Sequence, residues 1–254
     1  LVKAGIHLKL KLMHVVQLPS VSVLSRAVLF IGSLLFGLVG TSPVSAQSLP
    51  DAYDFTLGVT YEISSGKNGN MKKGEQMGMW FSNQPYTGME SPKQKGFFMV
   101  MDLNDQKMVT LMTDQKMAMV MDLKKMQEKM KGQVKEENPA NVKITKTGKS
   151  ETILGYKCQQ FLIESDDSQS YAWITTELGS GMGNLAKSLS AILSSGPRPM
   201  GLPSMKGIEN GVLLKMESTD KKNGNTTRLE AVNVSKEGKK FPTAGYNVMA
   251  MPGM

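Results

Sequence analysis

The chain of 254 residues is 40% apolar and 20% charged, which is enough apolar content for a core and too mixed a charge for a disordered tail. One cysteine excludes an internal disulfide, and two histidines leave little for histidine chemistry. The formal charge of +8 is unevenly placed: four of the 30 basic residues and no acid lie in residues 1–46, so residues 47–254 carry only +4.

The first 46 residues differ in kind from the rest. Lys3, Lys9, Lys11 and Arg26 make a basic region, and His7 and His14 are the two histidines of the chain. The run AVLFIGSLLFGLVG at 27–40 is apolar, and Val44 and Ala46 are small. Together these predict a secretory signal peptide cleaved after Ala46. The apolar run has 14 residues, against the roughly 20 that a membrane-spanning helix needs. The first methionine is Met13, and a start there leaves a leader of ordinary length. No cysteine stands near the cleavage point, so a lipid-anchored product is not expected. The expectation is a soluble protein of residues 47–254, one domain, in the bacterial periplasm or outside the cell. No later run reaches spanning length.

Residues 55–64 (FTLGVTYEIS) are β-branched and aromatic and read as a strand, followed by a turn at 65–70 (SGKNGN). In MKKGEQMGMWFS, Met77, Met79 and Phe81 fall at every second position and share one strand face. Residues 82–96, with two prolines and two glycines, read as loop. FFMVMDLND, QKMVTLMTD and QKMAMVMDL then predict an antiparallel meander, with an Asp-Gln-Lys break at 105–107 and again at 114–116. Met99 and Met101 share one face, as do Met117, Met119 and Met121.

Leu123, Met126, Met130 and Val134 are spaced as on an amphipathic helix over 122–135, which Pro139 ends. NVKITKTG, YKCQQFLIES and QSYAWITTEL read as further strands, the second apolar on both faces. Residues 179–196 (GSGMGNLAKSLSAILSSG) predict a second helix, its apolar face including Leu185, Leu189 and Leu193. GVLLKMESTD and TTRLEAVNVS form a hairpin over KKNGN, and the tail FPTAGYNVMAMPGM adds an edge strand. Nine or ten strands and two helices without βαβ alternation predict an α+β fold, an antiparallel sheet with helices on one face.

The stretches TKTGKSETILGYKCQQFLIES, YAWITTEL and GVLLKMES resemble an uncharacterised family of secreted bacterial proteins, number 4412 among the domains of unknown function, over about residues 50–235. The match is most specific at Gly155-Tyr156-Lys157-Cys158 and Ala172-Trp173-Ile174. The chain is also similar to the broader LolA-like periplasmic proteins. That resemblance implies a curved antiparallel half-barrel with helices packed on its concave face, and an apolar cavity for lipid or acyl chains. The family brings no assigned reaction or catalytic residue, and a fold does not fix a function.

Most enzymatic chemistries find no support in the residues. TGKS at 147–150 lacks the earlier glycine of a phosphate-binding loop, since Lys143 stands there. GSGMG at 179–183 lacks the context of a dinucleotide fingerprint. Ser218 and Lys221 have the spacing of a serine–lysine pair without its companion motifs. Asp166-Asp167 sits in a polar turn. Without a histidine past residue 46, Ser-His-Asp and Cys-His mechanisms are excluded there, and zinc would find carboxylates and one thiol only. The basic residues are interspersed with acids and do not form the stripe that nucleic acid requires. Cys158 reads as a small buried hydrophobe. No catalytic residue, cofactor or metal is therefore expected.

The 21 methionines are the anomaly, 20 of them beyond the leader. Four readings compete: adaptable core filling, a soft lining for an apolar ligand, capture of Cu(I) by thioethers, and sacrificial oxidation, which no feature of the sequence singles out. The expectation taken forward is a non-catalytic protein that binds a lipid, acyl chain or other hydrophobic molecule. Met99, Met101, Met119, Met121, Trp173 and Leu189 are its candidate lining. The rival is an envelope interaction module with a closed core that meets a protein partner by an edge or patch.

Overall fold

The computed structural model describes residues 49–250 except 68, 126–141, 180, 182 and 184–209. All described elements fall in the unit of residues 38–254. Fourteen strands dominate it: β1 Ala52–Phe55, β2 Leu57–Lys67, β3 Asn70–Phe81, β4 Tyr86–Glu90, β5 Phe97–Asp102, β6 Lys107–Met112 and β7 Met117–Asp122. They continue as β8 Lys143–Ile153, β9 Tyr156–Glu164, β10 Ser168–Thr175, β11 Val212–Asp220, β12 Asn225–Ser235, β13 Lys239–Pro242 and β14 Asn247–Ala250. Twelve of them form one sheet in the order β14-β7-β6-β5-β4-β3-β2-β12-β11-β10-β9-β8, and β1 pairs with β13 in a separate two-stranded sheet.

This arrangement overturns the expected α+β half-barrel. The sheet is open, its edge strands β14 and β8 unpaired with each other, and among the described residues no helix packs on a concave face. The reason lies in what covers the sheet. On β5–β7, side chains at every second position form an apolar patch without methionine, Phe98, Val100, Val109, Leu111, Ala118 and Val120, with Asp102 and Lys107 at its border. Among the described residues it is the small β1–β13 sheet that covers that face, with Tyr53, Phe55 and Phe241 in the same cluster. Phe98 stacks on Phe241 at 3.9 Å between ring centres and meets Phe55 edge-on at 5.3 Å. The two helical periods fall on segments that lie almost wholly outside the described residues. Of the first, Leu123–Lys125 is helical, with Asp122 Oδ1 accepting the backbone N–H groups of Lys124 at 2.9 Å and Lys125 at 3.1 Å, as an N-cap does.

The meander stands as expected, and its loops show a subtlety. The sequence repeat Asp-Gln-Lys occupies 105–107 and 114–116, yet the loops of β5–β6 and β6–β7 are both four residues, 103–106 and 113–116. The last loop residue takes the left-handed conformation in each: Gln106 at φ 52° and Lys116 at φ 46°. The structural repeat is thus one residue out of step with the sequence repeat.

The region read as loop at 82–96 contains β4. Gly88 made it look like a break, but a β-carbon there would stand 2.9 Å from Cε1 of Phe98 and 3.0 Å from Cε1 of Phe55. The glycine is in the strand because two core rings occupy its side-chain space. The hairpin of β11 and β12 forms as predicted, and the tail strand β14 is an edge, but it runs parallel to β7.

The second core lies around β2, β3 and β9–β12 and contains Leu57, Val59, Tyr61, Met79, Phe81, Cys158, Trp173 and Leu214. Tyr61 is paired with Ala231 across the sheet, and its hydroxyl reaches past that small residue to donate to the Leu213 carbonyl at 2.6 Å. Burial pushes the Tyr61 phenol well above its ordinary range. Cys158 is free and buried, and burial, with the nearby Glu151 and Glu177 charges as smaller causes, raises its thiol to about 11.

Candidate functional site

In an antiparallel ladder, directly opposed residues project from the same face. Following the register outward from β3 therefore builds a surface. Met79 opposes Met89, Met89 opposes Met99, Met99 opposes Thr110, Thr110 opposes Met119, and in the parallel pair Met119 lies beside Met249. This row crosses six strands, about 24 Å at the usual inter-strand spacing. A second row runs beside it, from Phe81 through Thr87, Met101 and Met108 to Met121. A third, shorter one joins Phe97, Met112 and Met117.

These rows occupy the face opposite the cluster of Phe98, Val100, Val109 and Leu111. The alternation of FFMVMD and MAMVMD is thus a division of labour: Phe98, Val100, Ala118 and Val120 point to the sealed side, and the methionines with Phe97 to the other. Most of the methionine side is partly exposed, including Met89, Met99, Met108, Met112, Met117, Met119, Met121 and Met249. Met101 at 1% and Met79 at 5% are sealed, while Phe97 at the rim is 40% exposed. Unbranched thioether chains on a pleated surface give a soft, repackable apolar face.

The structure brings Met99, Met101, Met119 and Met121 together on that face, as the sequence alternation predicted. Trp173 is elsewhere. Five strands separate β10 from β5 in the sheet order, and Trp173 lies in the second core with the Lys215 ammonium 4.5 Å from its ring centre. Met79 belongs to that same core, and Met77 and Met89 pack against it, so the methionine rows run into it without a break. Leu189 lies outside the described residues.

Sequence reasoning missed four methionines of the rows. Met89 was hidden in the segment read as loop. Met108 and Met112, four residues apart in KMVTLM, share a face by the same even spacing that identified Met99 and Met101. Met249 could not be placed without knowing that β14 returns alongside β7.

A polar cluster lies on the sealed side. Lys239 Nζ sits 2.6 Å from Glu90 Oε2, and Trp80 Nε1 donates to Glu90 Oε1 at 2.8 Å. The same ammonium is 4.7 Å from the Trp80 ring centre, 5.1 Å from that of Phe241 and 5.3 Å from that of Phe98. This is an aromatic box filled by the chain's own lysine, and it fastens β13 to the main sheet. Tyr53 donates to Asp102 Oδ2 at 3.3 Å; burial and the Asp102 charge raise its phenol. Among the described residues, no three His, Cys, Asp or Glu side chains gather as metal ligands would. Nor is any described helix long and apolar enough to cross a membrane.

A family model described as a domain of unknown function (DUF4412) matches residues 69–246, most of the chain and further towards its C-terminus than the motif stretches suggested. No curated protein matches. Among solved structures, PNGF-II is 13% identical over 77% of this chain, with a TM-score of 0.37. The chain spans about a third of that protein, 31% of its length. MucB in complex with MucA(peri) is 8% identical over 71% of this chain and 50% of that one, with a TM-score of 0.33. A LolA superfamily protein from Nitrosomonas europaea is 10% identical over 74% of this chain and 87% of that one, with a TM-score of 0.26. Likenesses of this degree assign no function. The family match does identify the chain: it belongs to the DUF4412 family.

Proposed function

We propose that this member of the DUF4412 family is an exported, non-catalytic binding protein that holds an apolar or amphipathic molecule, such as an acyl chain, along the methionine face of its sheet. The observation that carries the reading is the register: Met79, Met89, Met99, Met119 and Met249 align in one row across β3–β7 and β14. A second supporting feature is that a separate cluster, without methionine among the described residues, already supplies the sealed core on the other side. Met99, Met119 and Met249, outside both core clusters, are the part of the methionine face that packing of those strands does not use.

The energetics suffice. Burying a methylene contributes about 0.8 kcal/mol, so ten methylenes half-covered on an open face contribute roughly 4 kcal/mol, and fully covered about twice that, before ordering costs. Native mass spectrometry of the protein recovered from its own host, then repeated after delipidation, tests this. The reading expects a retained organic species of several hundred daltons that delipidation removes and added fatty acid restores. Retention of Cu(I) against a competing chelator with no organic species would replace it with the metal reading. Co-recovery of a protein partner, with no fatty acid bound, would favour the interaction module.

A further inference from the structure

Face segregation of the methionines has a chemical consequence independent of any ligand. The thioether is the most readily oxidised apolar side chain, and its susceptibility follows exposure. In most cores a methionine sulfoxide disrupts packing, because a flexible apolar group becomes a polar one. Here the cluster that locks β1 and β13 onto β4–β7 is built from Phe, Tyr, Val, Leu and Ala, and among the described residues no methionine is one of its buried members or packs against them. The partly exposed methionines of β5–β7 lie on the opposite face, in register with one another.

We infer that the methionine face is an oxidant-modification site: Met99, Met112, Met117 and Met119 accept oxygen from a two-electron oxidant of the hypochlorous acid class while the fold persists. The sulfur lone pair attacks chlorine and hydroxide leaves; water then adds to the chlorosulfonium sulfur, and chloride and two protons depart. Neutralisation of the hydroxide by one of those protons gives sulfoxide, one chloride and one proton per hypochlorous acid. Sulfur loses two electrons and chlorine gains them, so no further reductant enters the step. Met79 and Met101, sealed at 5% and 1% exposure, are the internal controls on the same face. The product is a face of S=O acceptors where thioethers stood, reversible by methionine sulfoxide reductases.

The test is graded hypochlorous acid on the full chain, read by peptide mapping at each methionine together with near-ultraviolet circular dichroism and thermal melting. Met99, Met112, Met117 and Met119 should oxidise about tenfold faster than Met79 and Met101. The near-ultraviolet spectrum should persist through those events, and sulfoxide reductase should return the mass to its starting value. A Met99→Leu/Met119→Leu variant should melt with the native chain and lose the oxidation at those two positions alone. Oxidation of Met79 and Met101 at the same rate as the others would overturn the inference. So would loss of the near-ultraviolet spectrum with the first sulfoxides. Neither readout involves a bound lipid, so the inference and the ligand reading fail separately.

Discussion

Replacing Lys239 with methionine removes a charge from the aromatic box and leaves the aliphatic stem in place. Lys239 has its ammonium 2.6 Å from Glu90 Oε2, with both side chains about a third exposed, at 32% and 29%. That exposure limits the ion pair to about 1 kcal/mol. Ring contacts at 4.7, 5.1 and 5.3 Å add about 0.5–1 kcal/mol at a site of this exposure. Lys239→Met should therefore lower unfolding free energy by roughly 1.5–2 kcal/mol, read from urea titration with an unchanged slope. Glu90→Gln keeps an acceptor for Trp80, so it isolates the charge. In the double variant the two changes should be non-additive by about 1 kcal/mol. Amide exchange sharpens the test, because β13 is joined to the main sheet through this box. Its backbone should open faster in Lys239→Met while the amides of β5 and β6 stay protected. Equal stability of Lys239→Met and the native chain, or full additivity with Glu90→Gln, would refute the box as a fastening.

Three further outcomes follow from the packing. Gly88→Ala drives a β-carbon against the rings of Phe98 and Phe55, so it should cost about 1–3 kcal/mol as overpacking does, and a melting temperature equal to the native one would contradict the account of β4. Tyr61→Phe leaves the buried Leu213 carbonyl without its 2.6 Å donor, and the urea midpoint should fall by an amount equivalent to about 1–2 kcal/mol; no change would mean that another donor takes over. Cys158 has its thiol raised from 9.0 to about 11. The unfolded chain therefore loses this proton first as pH rises. The contribution is intact below pH 9 and is lost as pH rises towards 11. Native protein should lose stability more steeply than Cys158→Ala across that window, and parallel pH profiles would count against the buried thiol.

The legible parts of this molecule were those whose pattern is local. Alternation in FFMVMD and MAMVMD fixes which residues share a face, so the grouping of Met99 with Met101 and of Met119 with Met121 needed no tertiary information. The burial of Cys158 and the β11–β12 hairpin were legible for the same reason. Long-range pairing was not. Nothing near Ala52–Phe55 says that its partner is Lys239–Pro242, and that pairing decides what covers the sealed face. Without it, helices were the natural candidate for the second layer, and the α+β expectation followed. β4 was lost because Gly88 reads as a break locally, while its reason is the Phe98 and Phe55 rings supplied by other strands. Trp173 was grouped with the methionines by chemistry alone, and the strand order sets it apart from the β5–β7 part of the face.

The central claim, that the methionine face receives an apolar molecule, is tested most directly by nuclear magnetic resonance of the protein labelled with carbon-13 at the methionine methyl groups. Each methyl is assigned by single Met→Leu substitution, and the delipidated chain is titrated with a medium-chain fatty acid. The account predicts that the methyl signals of Met89, Met99, Met119 and Met249 shift together along one saturable curve, while that of Met71, outside the rows, stays in place. Shifts at Met71 alone, or a saturable binding curve that leaves the row methyls unmoved, would contradict it.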